Sequence, residues 1–168
     1  MKYKISLFLF IYFFHHNISF ANNLAYVDLN YVINNSIIGK NIINKLNNIN
    51  NENLNLLKVE QNNINNEKNN IEKIKNIATK EELDNKIKVY NENLAKLKKK
   101  QDDLSSGFNN LRKLEMTNLL KKINPIIEKY MLDKNIDLIL KKENIIISKN
   151  ELDITIDLIK LIDQNIKN

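Results

Sequence analysis

The sequence predicts a mainly helical α+β protein, in which a long antiparallel helical hairpin is attached to a small β-sheet body. Two observations lead to this fold class. Between a strand-like segment at 24–29 and the only proline, Pro125, nearly a hundred residues carry an almost continuous helical pattern. Apolar, β-branched runs suited to strands occur only near the two ends of that stretch. The ends of the chain therefore supply the body, and its middle supplies a protruding arm.

The first 21 residues have the features of an export signal. Lys2 and Lys4 precede an apolar run at 5–14, which is too short to span about 30 Å of hydrocarbon as a helix. Ser19 and Ala21 place small residues at both recognition positions of a cleavage site. We expect cleavage after Ala21, which lowers the net charge from +6 to +4 and removes both histidines. The alternatives are an N-terminal membrane anchor and a buried strand, neither of them cleaved.

Composition excludes several classes of function. The chain has no cysteine, and its only glycines are Gly39 and Gly107. A mature chain without His and Cys cannot form most hydrolytic triads or zinc sites, and two isolated glycines cannot form a phosphate-binding loop. We therefore predict that the protein is not an enzyme and has no catalytic residue, metal site or cofactor. Asp153 is interpreted as a helix cap rather than a catalytic acid.

The second half of the arm has the clearest coiled-coil pattern. Over four heptads, seam positions recur at alternating intervals of four and three, and eight of the nine are apolar. The nine positions are Leu83, Ile87, Tyr90, Leu94, Leu97, Gln101, Leu104, Phe108 and Leu111. Gln101 is a polar residue of the kind that can fix register, although random sequence drift explains it equally well.

The first arm helix, predicted over about 37–77, has a weaker pattern. Its apolar seam is broken into two segments, and the Asn-rich run at 47–70 disfavours helix because Asn side chains compete for backbone partners. A weak helix needs a partner to hold it. Thr79, followed by Glu82, matches a capping box and predicts the start of the second helix. Because the connection between the two helices is only a few residues long, we expect them to be antiparallel neighbours. At about 1.5 Å per residue, they form an arm about 60 Å long.

The last part of the chain returns to the body. We expect the second helix to kink at Pro125 and to continue to about Asp133. Apolar runs at 136–140 and 145–147 flank a polar turn and predict a β-hairpin. Asp153 is the predicted N-cap of a last helix with one apolar face, formed by Ile154, Leu158, Leu161 and Ile162. Three strands leave exposed apolar edges, so we expect a homo-oligomer that pairs them.

These elements divide the chain into a signal at 1–21, an oligomerisation body at 22–35 and 123–168, and a coiled-coil hairpin arm at 36–122. The arm has a net charge of +6, whereas the rest of the mature chain has −2. We predict that the densest basic positions of the arm form its binding surface: Lys73, Lys75, Lys80, Lys96, Lys98, Lys99, Lys100, Arg112 and Lys113. Ordinary solvated helix faces in a lysine-rich chain are the alternative interpretation. Nucleic acid is not the expected partner, because the chain is exported, lacks Trp and has a single Arg.

Several segments, taken in order, point to a known family. They are the opening strand at 24–29, the Ser36-Ile-Ile-Gly39-Lys40 helix start, the Ile123-Asn-Pro-Ile126 segment, and the ending with apolar runs at 136–140 and 145–147 before Asp153-Ile-Thr155 and Asp157-Leu-Ile. Over the whole mature chain, this arrangement resembles the OmpH/Skp family of periplasmic chaperones of Gram-negative bacteria. The chain departs from the family in being richer in Asn and Ile and in the broken seam of its first arm helix.

The resemblance implies a jellyfish-shaped homotrimer with a β-barrel body and three hairpin arms around a cavity. It implies an ATP-independent holdase in the periplasm, which keeps unfolded outer-membrane β-barrel proteins from aggregating before membrane insertion. The expected partners are then other copies of the chain and these clients. The positive charge of the arm adds anionic lipid surfaces to the expected partners and makes the nine basic residues the expected client contacts. The alternative is an exported structural coiled-coil protein that binds no client.

Overall fold

The computed structural model describes residues 23–166 of the 168. The predicted signal and the cleavage after Ala21 lie outside the described residues. The elements, in chain order, are β1 (Leu24–Val27), α1 (Leu29–Asn35), α2 (Ile37–Ile74), α3 (Lys80–Asp133), β2 (Leu138–Lys141) and α4 (Thr155–Asn165). Two 3₁₀ turns, Lys142–Asn144 and Asn150–Leu152, lie between β2 and α4. The chain is mainly helical with a small sheet, as the sequence predicts.

The arm is an antiparallel hairpin of α2 and α3. Its two helices begin at side-chain caps: Ser36 Oγ accepts from the Gly39 N–H, and Thr79 Oγ1 accepts from the Glu82 N–H, both at 3.3 Å. The predicted cap at Thr79 is confirmed. The first helix ends at Ile74 rather than near position 77, because residues 75–78 form the turn of the hairpin. At about 1.5 Å per residue, the 38 residues of α2 span about 57 Å.

Helix α3 is longer than α2 and reaches from the tip of the arm into the body. It contains 54 residues and continues through Pro125 to Asp133, the predicted end. Proline has no N–H to donate to the backbone carbonyl one turn earlier in the helix. Because Pro125 is exposed, water can donate a hydrogen bond to that carbonyl instead. On either side of Pro125, Ile123 and Tyr130 are buried in the core of the body. The arm and the body therefore share one continuous helix.

The body contains a two-stranded parallel sheet covered by helices. Leu24 pairs with Leu138 and Val27 with Lys141. Parallel neighbours need a long crossover connection, and here the whole α2–α3 hairpin provides it. The core combines residues of β1, α1, α3 and α4, and its fully buried side chains are Val32, Ser36, Leu119, Ile123, Leu158 and Ile162.

Two hydrogen bonds tie the start of α4 to β1 and to Asp28, the residue that follows β1, and a third lies within the start of α4 itself. The Ile154 N–H donates to the Tyr26 carbonyl at 3.0 Å, the Asp28 N–H donates to Thr155 Oγ1 at 2.9 Å, and the Thr155 N–H donates to Asp153 Oδ1 at 2.9 Å. Asp153 lies one residue before the cap position, which Ile154 occupies, so the predicted cap is displaced by one residue. The predicted apolar face of α4 is confirmed, with Leu158 and Ile162 fully buried.

The β-hairpin predicted from the two apolar runs is wrong for the single chain. Among residues 23–166 the sheet has two strands, and the run at 145–147 is not one of them. β-Branched residues favour a strand but do not determine which other strand it pairs with. Here the 3₁₀ turn at 142–144 follows β2 directly and leads the chain away from it. Ile146 and Ile147 are 103% and 89% exposed. Within the same range, no helix is long and apolar enough to cross a membrane.

Candidate functional site

The basic residues predicted as a binding surface are spread along the arm. Three of them lie in the hairpin turn or beside it, four lie near the middle of α3, and two lie closer to the body. Lys100 is half-buried and pairs with Glu60, whereas the other eight are exposed and form no ion pair with any described residue. The arm therefore presents separate cationic points along its length rather than one basic cluster.

The tip of the arm is less basic than its lysines suggest. Lys73, Lys75 and Lys80 lie within residues 72–82, a range that also contains three glutamates and has no net charge. Ile77 lies in the turn and is 83% exposed. The tip thus combines balanced charge with an exposed apolar side chain. The excess positive charge of the arm lies farther along α3.

Three pairs of polar side chains join the arm helices: Lys45–Glu115, Glu60–Lys100 and Glu67–Asn93. Lys45 Nζ lies 2.6 Å from Glu115 Oε1. Asn93 Nδ2 donates to both carboxylate oxygens of Glu67, at 2.9 and 3.2 Å. The two residue numbers have the same sum in all three pairs, so one antiparallel register holds along the arm. Positions 60 and 67, where the apolar seam of the first helix is interrupted, are therefore occupied by polar residues with partners on α3.

The predicted seam of α3 is only partly correct. Every seventh position from 83 to 111 is buried or half-buried, as predicted. The alternate positions Ile87, Leu94 and Gln101 are exposed. In place of Leu94 and Gln101, the preceding residues Asn93 and Lys100 contact α2. The apolar pattern of α3 does not predict these contacts, because they depend on acidic residues of α2. The signal in the sequence is that Glu60 and Glu67 lie seven residues apart and that the donors Asn93 and Lys100 have the same spacing on α3.

The surface of the arm also exposes apolar side chains. Those at least half exposed on α2 and on α3 as far as residue 122 are Leu54, Leu56, Val59, Val89 and Leu114. Two shallow grooves follow the junction of the helices and share Glu67. One, of about 310 Å³, includes Ile71 and Val89, and the other, of about 340 Å³, includes Ile64 and Leu97. Such a surface suits many weak contacts with an extended chain better than enclosure of a small molecule.

The described residues provide no cluster of His, Asp and Glu that could hold a metal ion. Among residues 23–166, Tyr130 near the end of α3 is a titratable group whose pKa is shifted. Burial first, and then the neighbouring Asp157 carboxylate, raise the pKa of the Tyr130 hydroxyl above its ordinary value. Its Oη lies 3.4 Å from Asp157 Oδ2, which links α3 to α4. Because this contact is part of the body's packing, it is a structural feature.

The chain is similar in sequence to a known protein family and in fold to a solved structure. The profile of the family "Outer membrane protein (OmpH-like)" matches residues 23–162. A crystal structure from Caulobacter crescentus CB15, described as an OmpH-like candidate outer membrane chaperone, is similar in fold with a TM-score of 0.78. The similarity covers 87% of this chain and 86% of that one, at 15% sequence identity. No curated protein matches the chain by sequence. Because the family profile covers most of its length, this chain belongs to the OmpH-like outer membrane protein family.

Proposed function

We propose that this chain is an ATP-independent holdase chaperone of the periplasm. It binds unfolded outer-membrane β-barrel proteins after translocation and prevents their aggregation before membrane insertion. The observation that carries the proposal is the long hairpin arm, which exposes lysines and apolar side chains together along its surface. Membership of the OmpH-like family, and the chaperone description of the Caulobacter protein, support it.

The arm would bind its clients in two stages. The net charge of +6 on residues 36–122 attracts acidic segments of the client, at a rate that falls as salt screens the charges. Exposed apolar side chains then make weak contacts at many points. Strands of an outer-membrane barrel alternate apolar and polar residues, so the unfolded client offers apolar groups along its whole length. Because each contact is weak, release needs no ATP.

The proposed assembly is a homotrimer whose body is a closed β-barrel. The unpaired side of β2 and the exposure of Ile146 and Ile147 support pairing with other copies, because an open apolar sheet edge favours association. Light scattering after size exclusion would give the mass of wild type and of the Ile146→Asp/Ile147→Asp variant. We expect a trimer for wild type and a smaller species for the variant. Ile77→Asp, at an equally exposed apolar position in the arm tip, is the control and should stay trimeric.

The proposed periplasmic location depends on the export signal. Mass spectrometry of the protein recovered from the periplasm of an expressing Gram-negative cell should give a chain that begins at Asn22. An intact N-terminus, or retention in the cytoplasm, would contradict this location.

Aggregation of a client tests the proposed function. A urea-unfolded outer-membrane β-barrel protein is diluted into buffer with and without the mature chain, and light scattering is followed in the absence of ATP. We expect scattering to be suppressed near one trimer per client. No suppression by a folded, helical protein would instead favour the alternative of an exported structural coiled coil.

The nine basic residues are the proposed client contacts, and exposed Lys96, Lys98 and Lys99 are the most closely spaced of them that form no ion pair. Replacing these three with Gln should slow client capture at low salt and have little effect at high salt. The matched control replaces three exposed body lysines, Lys129, Lys134 and Lys149, with Gln. Equal slowing by both sets would contradict a specific role of the arm. Binding of the same variants to vesicles with anionic lipid tests the proposed lipid contact.

A further inference from the structure

Asn23 holds the start of β1 to the segment that joins α3 to β2. The Asn23 N–H donates to Asp137 Oδ2 at 3.1 Å, and the Asp137 N–H donates to the Asn23 carbonyl at 2.9 Å. The Asn23 side chain donates from Nδ2 to the Asn135 carbonyl at 2.8 Å. Asn135 has a φ of 53°, the left-handed conformation common just after the end of a helix. Hydrogen bonds of both its backbone and its side chain therefore fix Asn23 in place.

Asp137 presents a carboxylate that is held by Asn23 but has no cation beside it. Among residues 23–166, no lysine or arginine forms an ion pair with Asp137. The charged residues on the elements next to it are Asp133 and Lys134 at the end of α3 and Glu151 in the 3₁₀ turn that contacts β1. Because acids outnumber the lysine in this set, the surroundings of Asp137 favour a positive charge.

The proposed cleavage after Ala21 would create a positive charge one residue before Asn23. Hydrolysis adds water across the Ala21–Asn22 amide bond and leaves a carboxylate on Ala21 and an amine on Asn22, which is mostly protonated at pH 7. Residue 22 lies outside the described residues, but its nitrogen is three bonds from the Asn23 nitrogen, so the two lie less than about 4 Å apart. The Asn23 nitrogen is itself 3.1 Å from Asp137 Oδ2. The new ammonium group is therefore within reach of this carboxylate.

We propose that Asp137 is the binding site for the chain's own N-terminal ammonium group, so that removal of the signal completes the attachment of β1. The proposal rests on the proposed cleavage site. Exposed ion pairs usually contribute little, because two long side chains lose conformational freedom when they pair. Here one partner belongs to the main chain and the other is a short side chain already bound by Asn23, so less freedom is lost. In the precursor the same nitrogen is a neutral amide, and this ion pair is absent.

The pKa of the N-terminal amine tests the capture directly. A chain of residues 22–168, released from a fusion partner so that Asn22 comes first, is acetylated over a range of pH, and mass spectrometry of its N-terminal peptide follows the reaction. Only the neutral amine reacts, so an ion pair with Asp137 raises the measured pKa. We expect this pKa to exceed the ordinary value of about 7.7–8.0 by about half a unit or more, and the excess to shrink at high salt.

Two variants assign the shift to one carboxylate. Asp137→Asn removes the charge but keeps a side-chain oxygen that can accept the Asn23 N–H, so the amine pKa should return to its ordinary range. The matched control, Asp133→Asn, removes a carboxylate at the end of α3 that forms no hydrogen bond with Asn23, and most of the shift should remain. Circular dichroism establishes that both variants are folded. An ordinary pKa in wild type, or an equal shift in Asp137→Asn, would overturn the capture.

Urea unfolding at pH 7 tests what the capture does for the processed chain. A chain that retains residues 19–21 has an amide at residue 22, and its unfolding midpoint should lie below that of the chain beginning at Asn22. Asp137→Asn should abolish this difference. Equal midpoints of the two wild-type chains would overturn the attachment role. If the exported protein begins at another residue, the cleavage site fails and the role in processing with it, whereas the amine pKa of the chain released at Asn22 still decides the capture.

Discussion

Replacing Gly39 with alanine should destabilise the protein by about 2 kcal/mol, although alanine is the better helix former. An alanine Cβ at this position would lie 1.9 Å from the Ile33 carbonyl oxygen, 2.7 Å from the Ile33 carbonyl carbon and 2.9 Å from Ser36 Oγ. The carbonyl belongs to the backbone of α1 and cannot rotate away, so α1 and the start of α2 must move apart. Such overpacking costs about 3 kcal/mol or more, and alanine's helix propensity offsets about 1 kcal/mol.

Urea unfolding, followed by circular dichroism at one fixed protein concentration, measures this change. With a denaturant dependence of about 2 kcal/mol per molar urea, the unfolding midpoint should fall by about 1 M. The control is Gly107→Ala, because that position meets no atom within 4 Å and alanine should raise stability there by up to about 1 kcal/mol. A midpoint for Gly39→Ala at or above that of wild type, or an equal loss in Gly107→Ala, would refute the reasoning.

Three further predictions concern the body and the caps. Leu158→Ala should cost about 2–5 kcal/mol in urea unfolding because Leu158 is fully buried, whereas Ile156→Ala, at a position that is 52% exposed, should cost far less. Thr79→Ala removes the cap of α3 and should lower stability by about 1 kcal/mol in the same assay; an unchanged midpoint would contradict a stabilising cap. Because burial and Asp157 raise the pKa of Tyr130, its contribution to stability is complete below pH 10 and is lost as pH rises through the folded-state pKa. Tyr130→Phe should remove that alkaline loss when urea unfolding is repeated over a range of alkaline pH; an undiminished loss in the variant would contradict the role of Tyr130.

The parts of the fold that depend on local chemistry could be predicted from the sequence. The cap at Thr79, the continuation of α3 to Asp133 and the apolar face of α4 each depend on residues within a few positions of one another. The parallel pairing of β1 and β2 joins segments more than a hundred residues apart, and the sequence pattern did not indicate it. The prediction of a hairpin strand at 145–147 is wrong because β-branched composition favours a strand without determining which other strand it pairs with.

The candidate surface on the arm shows the same division. Lysine positions could be read from the sequence, and their spread along the arm follows from helical spacing. Whether a given lysine is free or paired depends on the facing helix, and Lys100 differs from Lys99 only because Glu60 lies opposite it. The exposure of Leu94 has the same origin, since pairing of Asn93 with Glu67 fixes the rotation of α3. Such pairings need the register of the hairpin, which only the structure provides.

Native mass spectrometry tests the central claim most directly. A chain of residues 22–168 is mixed without ATP with a urea-unfolded outer-membrane β-barrel protein, and the masses of the species in solution are measured. The holdase account predicts a complex of three copies of the chain and one client. Free trimer beside aggregated client, with no joint complex at any ratio, would contradict it.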